Sequence, residues 1–325
     1  MLLDLWLPLI AIAGGFVGLL WSADRFVAGS AALAYNLGVS KLVIGLTIVS
    51  FGTSAPEIVV SFSASFAQAG ELAVGNALGS NLANMGLVLA VTALIAPLAI
   101  HRHLLRNEIP VLLLVTALAG VLLYDARLVF WEGLILLLAL PLALGFLTWN
   151  RRQDRTEQTP DIPGLGNVAA GVWFLVGLAV LIAASEALVW GASELALSLG
   201  VTPLVVGLTV IAVGTSLPEL AASVTSALKG HQDMAIGNIV GSNVFNLLAV
   251  MAIPALIPQA PMESAVFWRD FAAMGIMTAI LAAALVLDYA LRRRQGRVRQ
   301  ACLGRSIGVL LLLGYIGYYA WLMLG

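Results

Sequence analysis

Gly52-Thr53-Ser54-Ala55-Pro56-Glu57 interrupts a long apolar stretch, and 162 residues later Gly214-Thr215-Ser216-Leu217-Pro218-Glu219 interrupts another. The register holds on either side of the two hexapeptides. Gly38-Val39-Ser40 meets Gly200-Val201-Thr202, and Gly45-Leu46-Thr47 meets Gly207-Leu208-Thr209. Further on, Gly75-Asn76 meets Gly237-Asn238, Gly79-Ser80-Asn81 meets Gly241-Ser242-Asn243, and Asn84 meets Asn246. From Gly38 to Asn84, 20 of 47 aligned pairs are identical without a gap. Shared hydrophobicity cannot place Gly, Thr, Ser, Pro, Glu and Asn in register, so the chain is an internal duplication.

The duplicated halves are membrane halves. Of the 325 residues, 61% are hydrophobic and only 10% charged, against about 25% charged in a soluble domain; mean hydropathy is +1.01. The apolar runs are continuous rather than alternating, which selects helices over a β-barrel. Ten spans are expected, near 5–34, 41–66, 71–96, 104–124 and 127–148, then 167–197, 203–228, 233–258, 265–290 and 306–324. The chain therefore divides into a first five-helix repeat (1–149), a polar cytoplasmic linker (150–166) and a second repeat (167–325). Five is odd, so the second repeat enters the membrane from the opposite side. The expected fold is an all-α membrane protein of ten transmembrane helices in two inverted repeats, an architecture of secondary transporters. The Met-Leu-Leu-Asp start lacks the basic region of a signal peptide, so the first apolar run reads as a span.

Basic residues agree with this topology. Lys41, Arg102, Arg106, Arg151, Arg152, Arg155, Lys229, Arg292, Arg293, Arg294, Arg297, Arg299 and Arg305 fall on one side, and only Arg127 and Arg269 on the other. The positive-inside rule makes the first side cytoplasmic and puts both termini outside. The basic 292–305 loop reads as a topology signal rather than a nucleic-acid site. The lone Cys302 offers neither a disulfide framework nor a metal site.

Glu57 and Glu219 fall near mid-membrane, where a carboxylate is costly and marks function. The proline before each removes a backbone donor and clashes with the carbonyl four residues back, which belongs to Gly52 or Gly214. Each helix should break there and leave carbonyls free, the device by which transporters coordinate cations. Thr53, Ser54, Thr215 and Ser216 add hydroxyls. Ser80 and Asn84 share one helix face, as do Ser242 and Asn246. Gly75, Asn76, Gly79, Asn81, Gly237, Asn238, Gly241 and Asn243 read as small and polar glue between helices. All candidate ligands are hard oxygens, which favours calcium or sodium over zinc, copper or iron, and magnesium dehydrates too reluctantly for such a cage.

The paired Gly-Thr-Ser-x-Pro-Glu and Gly-Ser-Asn-x-x-Asn motifs resemble the α-repeats of the calcium/cation antiporter superfamily, most of all its prokaryotic sodium/calcium exchangers. The resemblance implies that Glu57 and Glu219 are shared calcium and sodium ligands, with Thr53 and Thr215 beside them. Ser80 would complete a sodium site with Glu57, and Ser242 one with Glu219. The carbonyls of Ser50 and Ala212 would join these flanking sites, and Asn84 and Asn246 would line the centre. Some relatives carry Asp where Asn246 stands, so this chain lacks one titratable charge and the case for potassium co-transport weakens. Proton/calcium relatives usually carry Gly-Asn-Ala-x-Glu in place of Gly-Thr-Ser-x-Pro-Glu, which favours sodium as counter-ion.

The expected activity is exchange of sodium for calcium across a plasma (inner) membrane by alternating access. The alternative is a proton/calcium antiporter using the same glutamates. An intramembrane enzyme is disfavoured because neither His-Glu-x-x-His nor Gly-x-Ser-x-Gly occurs. A channel would not counter-transport, and a receptor would leave the duplicated carboxylates without a purpose. No cofactor and no nucleic-acid partner is expected; the partners are Ca²⁺, Na⁺ and membrane lipid, with no oligomeric state indicated. Helices 1 and 6 are long and rich in small residues, fitted to slide across a core of helices 2, 3, 7 and 8. Asp24 and Glu186, related by the same shift, read as anchors on those long helices. Glu71 and Asp233 read as first-turn carboxylates matched to the helix dipole.

Overall fold

The computed structural model describes residues 2–100, 103–149, 164–200, 212–294 and 301–324. The linker from 150 to 163, the 203–211 part of the seventh expected span, His101, Arg102, Arg297 and Arg299 lie outside the described residues. The helices are α1 (Leu2–Leu37), α2 (Lys41–Thr53), α3 (Ala55–Phe66), α4 (Gly70–Ile95), α5 (Leu104–Leu123), α6 (Phe130–Trp149) and α7 (Asn167–Ser198). The second half continues with α8 (Ala212–Gly214), α9 (Leu217–Leu228), α10 (Gln232–Leu256), α11 (Val266–Leu291) and α12 (Arg305–Leu324). Among the described residues, eight helices are long and apolar enough to cross a membrane. The pair α2 and α3 adds a ninth as one span bent by 44°. The α8–α9 pair occupies the place of the expected seventh span.

Contacts between connecting segments sort them onto two faces. On one, Lys41 Nζ meets His231 Nδ1 at 2.9 Å, Ala99 N–H donates to Gln232 Oε1 at 2.9 Å, and Arg305 Nε donates to Leu94 O at 3.1 Å. Asn36 Nδ2 donates to Leu165 O on that same face, 2.9 Å away. On the other, Gln259 Nε2 donates to Ser65 O at 2.9 Å and Met262 N–H to Ala126 O at 3.0 Å. The segments after α1, α4, α9 and α11 and the residues just before α7 thus share the basic face, and the segments after α3, α5 and α10 share the opposite one. The second half starts from the face opposite to the first, as an inverted repeat requires.

One departure from an all-α expectation is a short antiparallel ribbon of β1 (Leu98–Ile100) and β2 (Ala301–Leu303), with Ala99 opposite Cys302. Two connections run side by side on the basic face, and their backbone groups satisfy one another there. Cys302 N–H also donates to Asp288 Oδ2 at 2.7 Å.

The centre is built by α2, α4, α9 and α10. A Cβ on Gly45 would lie 2.6 Å from Met234 O, and one on Gly237 would lie 2.7 Å from Leu42 O. Glycine alone therefore lets α2 and α10 approach backbone to backbone. Helices α1 and α7 pack on each other outside this core, with the Phe26 and Phe174 rings 5.2 Å apart. Lys229, just past α9, reaches α1 and binds Asp24 through the carboxylate at 2.6 Å and the carbonyl at 3.0 Å. Glu186 is exposed on α7, so the pseudo-symmetric carboxylates have different surroundings. Glu71 and Asp233 stand in the first turns of α4 and α10, as expected.

Candidate functional site

The α2–α3 break falls at Ser54 (φ −84°, ψ 8°), and its counterpart falls at Ser216 (φ −91°, ψ 5°). Pro56 and Pro218 then stand in the first turn of α3 and α9, where a missing N–H costs nothing. Glu57 and Glu219 sit in those same first turns. Each carboxylate is therefore at the positive end of a half-helix, which offsets part of the cost of holding a charge there. The expected pair of free carbonyls needs one correction: Gly214 O accepts a hydrogen bond from Ser185 Oγ of α7 at 3.0 Å. The duplication does not extend to that serine, because Ala23 occupies the matching place on α1.

Both glutamates are fully buried, as are Thr53, Ser50, Ser54, Ser242, Asn84 and Asn246, and Ser80 is 3% exposed. Ser54 Oγ, from the first half, donates to Glu219 Oε1, of the second, at 3.2 Å. Thr53 Oγ1 lies 3.5 Å from Ser242 Oγ. Ser80 neighbours the Glu57 carboxyl. The two carboxyls are close enough to repel each other when charged. Ser50 O already accepts the Ser54 N–H at 2.9 Å, and its hydroxyl donates to Gly45 O at 2.5 Å, with Asn238 O also near at 3.1 Å. Ala212 opens α8. Thr215 lies in the turn between α8 and α9.

Two backbone features at the site carry no signal in the residue pattern. A π-turn opens at Asn84 (Asn84–Leu89) and another at Asn246 (Asn246–Val250). Such bulges recur at functional sites. They pack crosswise: the Asn84 turn lies against α9, and the Asn246 turn lies against α3. Both asparagines are thereby brought toward the carboxylate of the opposite half. Asn238 ties helices together as expected, bonding Thr53 of α2 and both Ser223 and the Glu219 carbonyl of α9, and these bonds also place it beside the site. Its spacing of four from Ser242 and eight from Asn246 was the available signal.

Glu57 Oε1 and Oε2, Glu219 Oε2, Ser216 Oγ and both amide atoms of Asn84 and Asn246 are buried without a hydrogen-bond partner among the described residues. Each such atom costs about 1–3 kcal/mol, and more when charged. A cluster of this kind at the meeting point of two broken helices is unfavourable unless a ligand supplies what the protein withholds. Its donor set of carboxylate, hydroxyl and amide oxygens fits a hard cation of the size of Ca²⁺ or Na⁺.

Comparison with known proteins agrees with this donor chemistry. The family model described as sodium/calcium exchanger protein matches residues 7–149 and 169–324. The chain is 42% identical over 316 residues to CaxA of Alkalimonas amylolytica, covering 95% of this chain and 96% of that one. It is 39% identical to inner membrane protein YrbG of Escherichia coli (strain K12), covering 97% of each. Among solved structures, the sodium-calcium exchanger NCX_Mj soaked with Na⁺ and Ca²⁺ superposes with a TM-score of 0.81. That match has 32% identity and covers 97% of this chain and 98% of the other.

Proposed function

This chain belongs to the sodium/calcium exchanger protein family, and on that footing we propose that it exchanges Na⁺ for Ca²⁺ across the membrane by alternating access. The observation that carries this reading is the cluster of buried, unpartnered oxygens shared by two inverted halves, with Glu57 and Glu219 at its centre. Two negative charges balance one Ca²⁺ or two Na⁺. A site with both carboxylates bare is costly to occlude, so the conformational switch proceeds only when ions neutralise them. That coupling makes an exchanger rather than a leak.

In this reading Thr53 and Thr215 flank the carboxylates, Ser80 with Glu57 and Ser242 with Glu219 form two sodium positions, and the Ser50 and Ala212 carbonyls complete them. Asn84 and Asn246 line the middle as neutral ligands. The pair α1–α7 slides across the core of α2–α4 and α8–α10. The repeats are 1–149 and 167–325, joined by a cytoplasmic linker, with both termini outside. The name of the related Escherichia coli protein favours an inner membrane.

Sodium is preferred to protons as counter-ion because the carboxylates are embedded among hydroxyl and amide oxygens suited to Na⁺. The test is calcium-45 uptake into proteoliposomes with sodium and pH gradients imposed separately. Uptake that requires an outward sodium gradient at clamped pH supports the reading. Uptake that ignores sodium and follows a pH gradient replaces it with proton coupling.

A further inference from the structure

Asn238 stands one turn before Ser242 on α10 and is 1% exposed. Its Oδ1 accepts the Thr53 hydroxyl from the other half at 3.1 Å. Its Nδ2 donates to Ser223 Oγ at 3.0 Å and faces the Glu219 carbonyl at 3.5 Å. The carbonyl fixes which way the carboxamide points, because only the NH₂ end can face it favourably. Oδ1 must then face Thr53.

A threonine hydroxyl has one proton and two lone pairs. Besides Ser242 Oγ at 3.5 Å, Thr53 has three candidate acceptors for that proton. One is Asn238 Oδ1; a second is Ser50 O, more distant at 3.4 Å. The third is the neighbouring Glu219 carboxyl. If the proton went to Glu219, Thr53 would satisfy the carboxylate and compete with a cation for it. Given instead to Asn238, it leaves Thr53 Oγ1 an acceptor only, which is the role a hard cation requires.

We propose that Asn238 is a positioning residue that accepts the Thr53 hydroxyl hydrogen bond and so presents the lone pairs of Thr53 Oγ1 to the transported cation as a ligand. Ser223 holds the carboxamide in that orientation from its far end. This inference rests on the exchange reading above and adds a residue outside the ion-coordinating set. It also assigns a direction to the hydroxyl that sequence spacing does not reveal.

The experiment is a calcium titration of the purified full chain by calorimetry, with wild type, Thr53→Val, Asn238→Leu and the double variant. Thr53→Val and Asn238→Leu should each weaken Ca²⁺ binding about tenfold, the scale of one hydrogen bond to a charged site. The double variant should bind no more weakly than the poorer single variant, since both remove the same ligand. If Asn238→Leu fails to fold, Ser223→Ala serves in its place. It should weaken binding about threefold in wild type and have no effect in the Thr53→Val background. Losses that multiply in the double variants would overturn the proposal, leaving Asn238 a helix-packing residue. Glu57→Gln and Glu219→Gln are run alongside. Wild-type calcium binding in both would overturn the exchange reading and the proposal with it, whereas loss in both combined with multiplying losses at Asn238 overturns the proposal alone.

Discussion

At the scale of single residues, the site balances binding against stability. A carboxylate about 4 Å from a unit positive charge contributes about 4 kcal/mol at an effective dielectric of about 20. Glu57→Gln or Glu219→Gln should therefore weaken calcium binding roughly 100- to 1,000-fold. The same substitutions remove a buried charge that, among the described residues, has no hydrogen-bond partner on Glu57 and the Ser54 hydroxyl on Glu219. In ion-free buffer each variant should consequently melt higher than wild type, by a few degrees, on the scale of about 1–2 kcal/mol. A thermal scan with and without calcium checks both halves of the prediction. Calcium should raise the wild-type melting temperature and leave that of the variants unmoved. Ser54→Ala removes the 3.2 Å bond to Glu219 Oε1 but no charge, so its effect on binding should be the smaller one, about tenfold or less.

At the scale of elements, the core depends on how closely helices cross. Gly237→Ala would put a methyl 2.7 Å from Leu42 O, and overpacking of this kind costs about 1–3 kcal/mol. The melting temperature should fall by several degrees, with expression reduced. Lys229→Met breaks the bond to Asp24, but that pair is about half exposed and so should cost no more than about 1 kcal/mol. Much of this level was legible in the sequence. The proline-broken helix at Ser54, the long α1 and α7, and the register of α4 with α10 all follow from local residues repeated at one spacing. The π-turns at Asn84 and Asn246 were not legible, because insertion of a residue into the hydrogen-bond ladder changes neither composition nor hydrophobic period. The β1–β2 ribbon escaped because its two strands lie about 200 residues apart, and each is too short to carry a pattern. The clamp on Thr53 escaped because it joins residues 185 positions apart, which only the inverted packing of the halves brings together.

At the scale of the molecule, odd-numbered repeats and the sorting of basic residues make a topology that one side chain can report. Cys302 is the chain's only cysteine, and it lies on β2 beside the basic face. A membrane-impermeant maleimide should leave it unlabelled in intact cells and label it in inside-out vesicles. Labelling from outside would invert the orientation. The central claim is more specific than topology: two carboxylates from inverted halves hold one transported cation between them. Calcium-45 binding to the purified chain at rising sodium concentration tests it most directly, with Glu57→Gln and Glu219→Gln alongside wild type. The account predicts one calcium per chain, displaced competitively by sodium, and lost when either glutamate alone is replaced. Two independent calcium sites, each surviving loss of the opposite glutamate, or calcium binding indifferent to sodium, would contradict it.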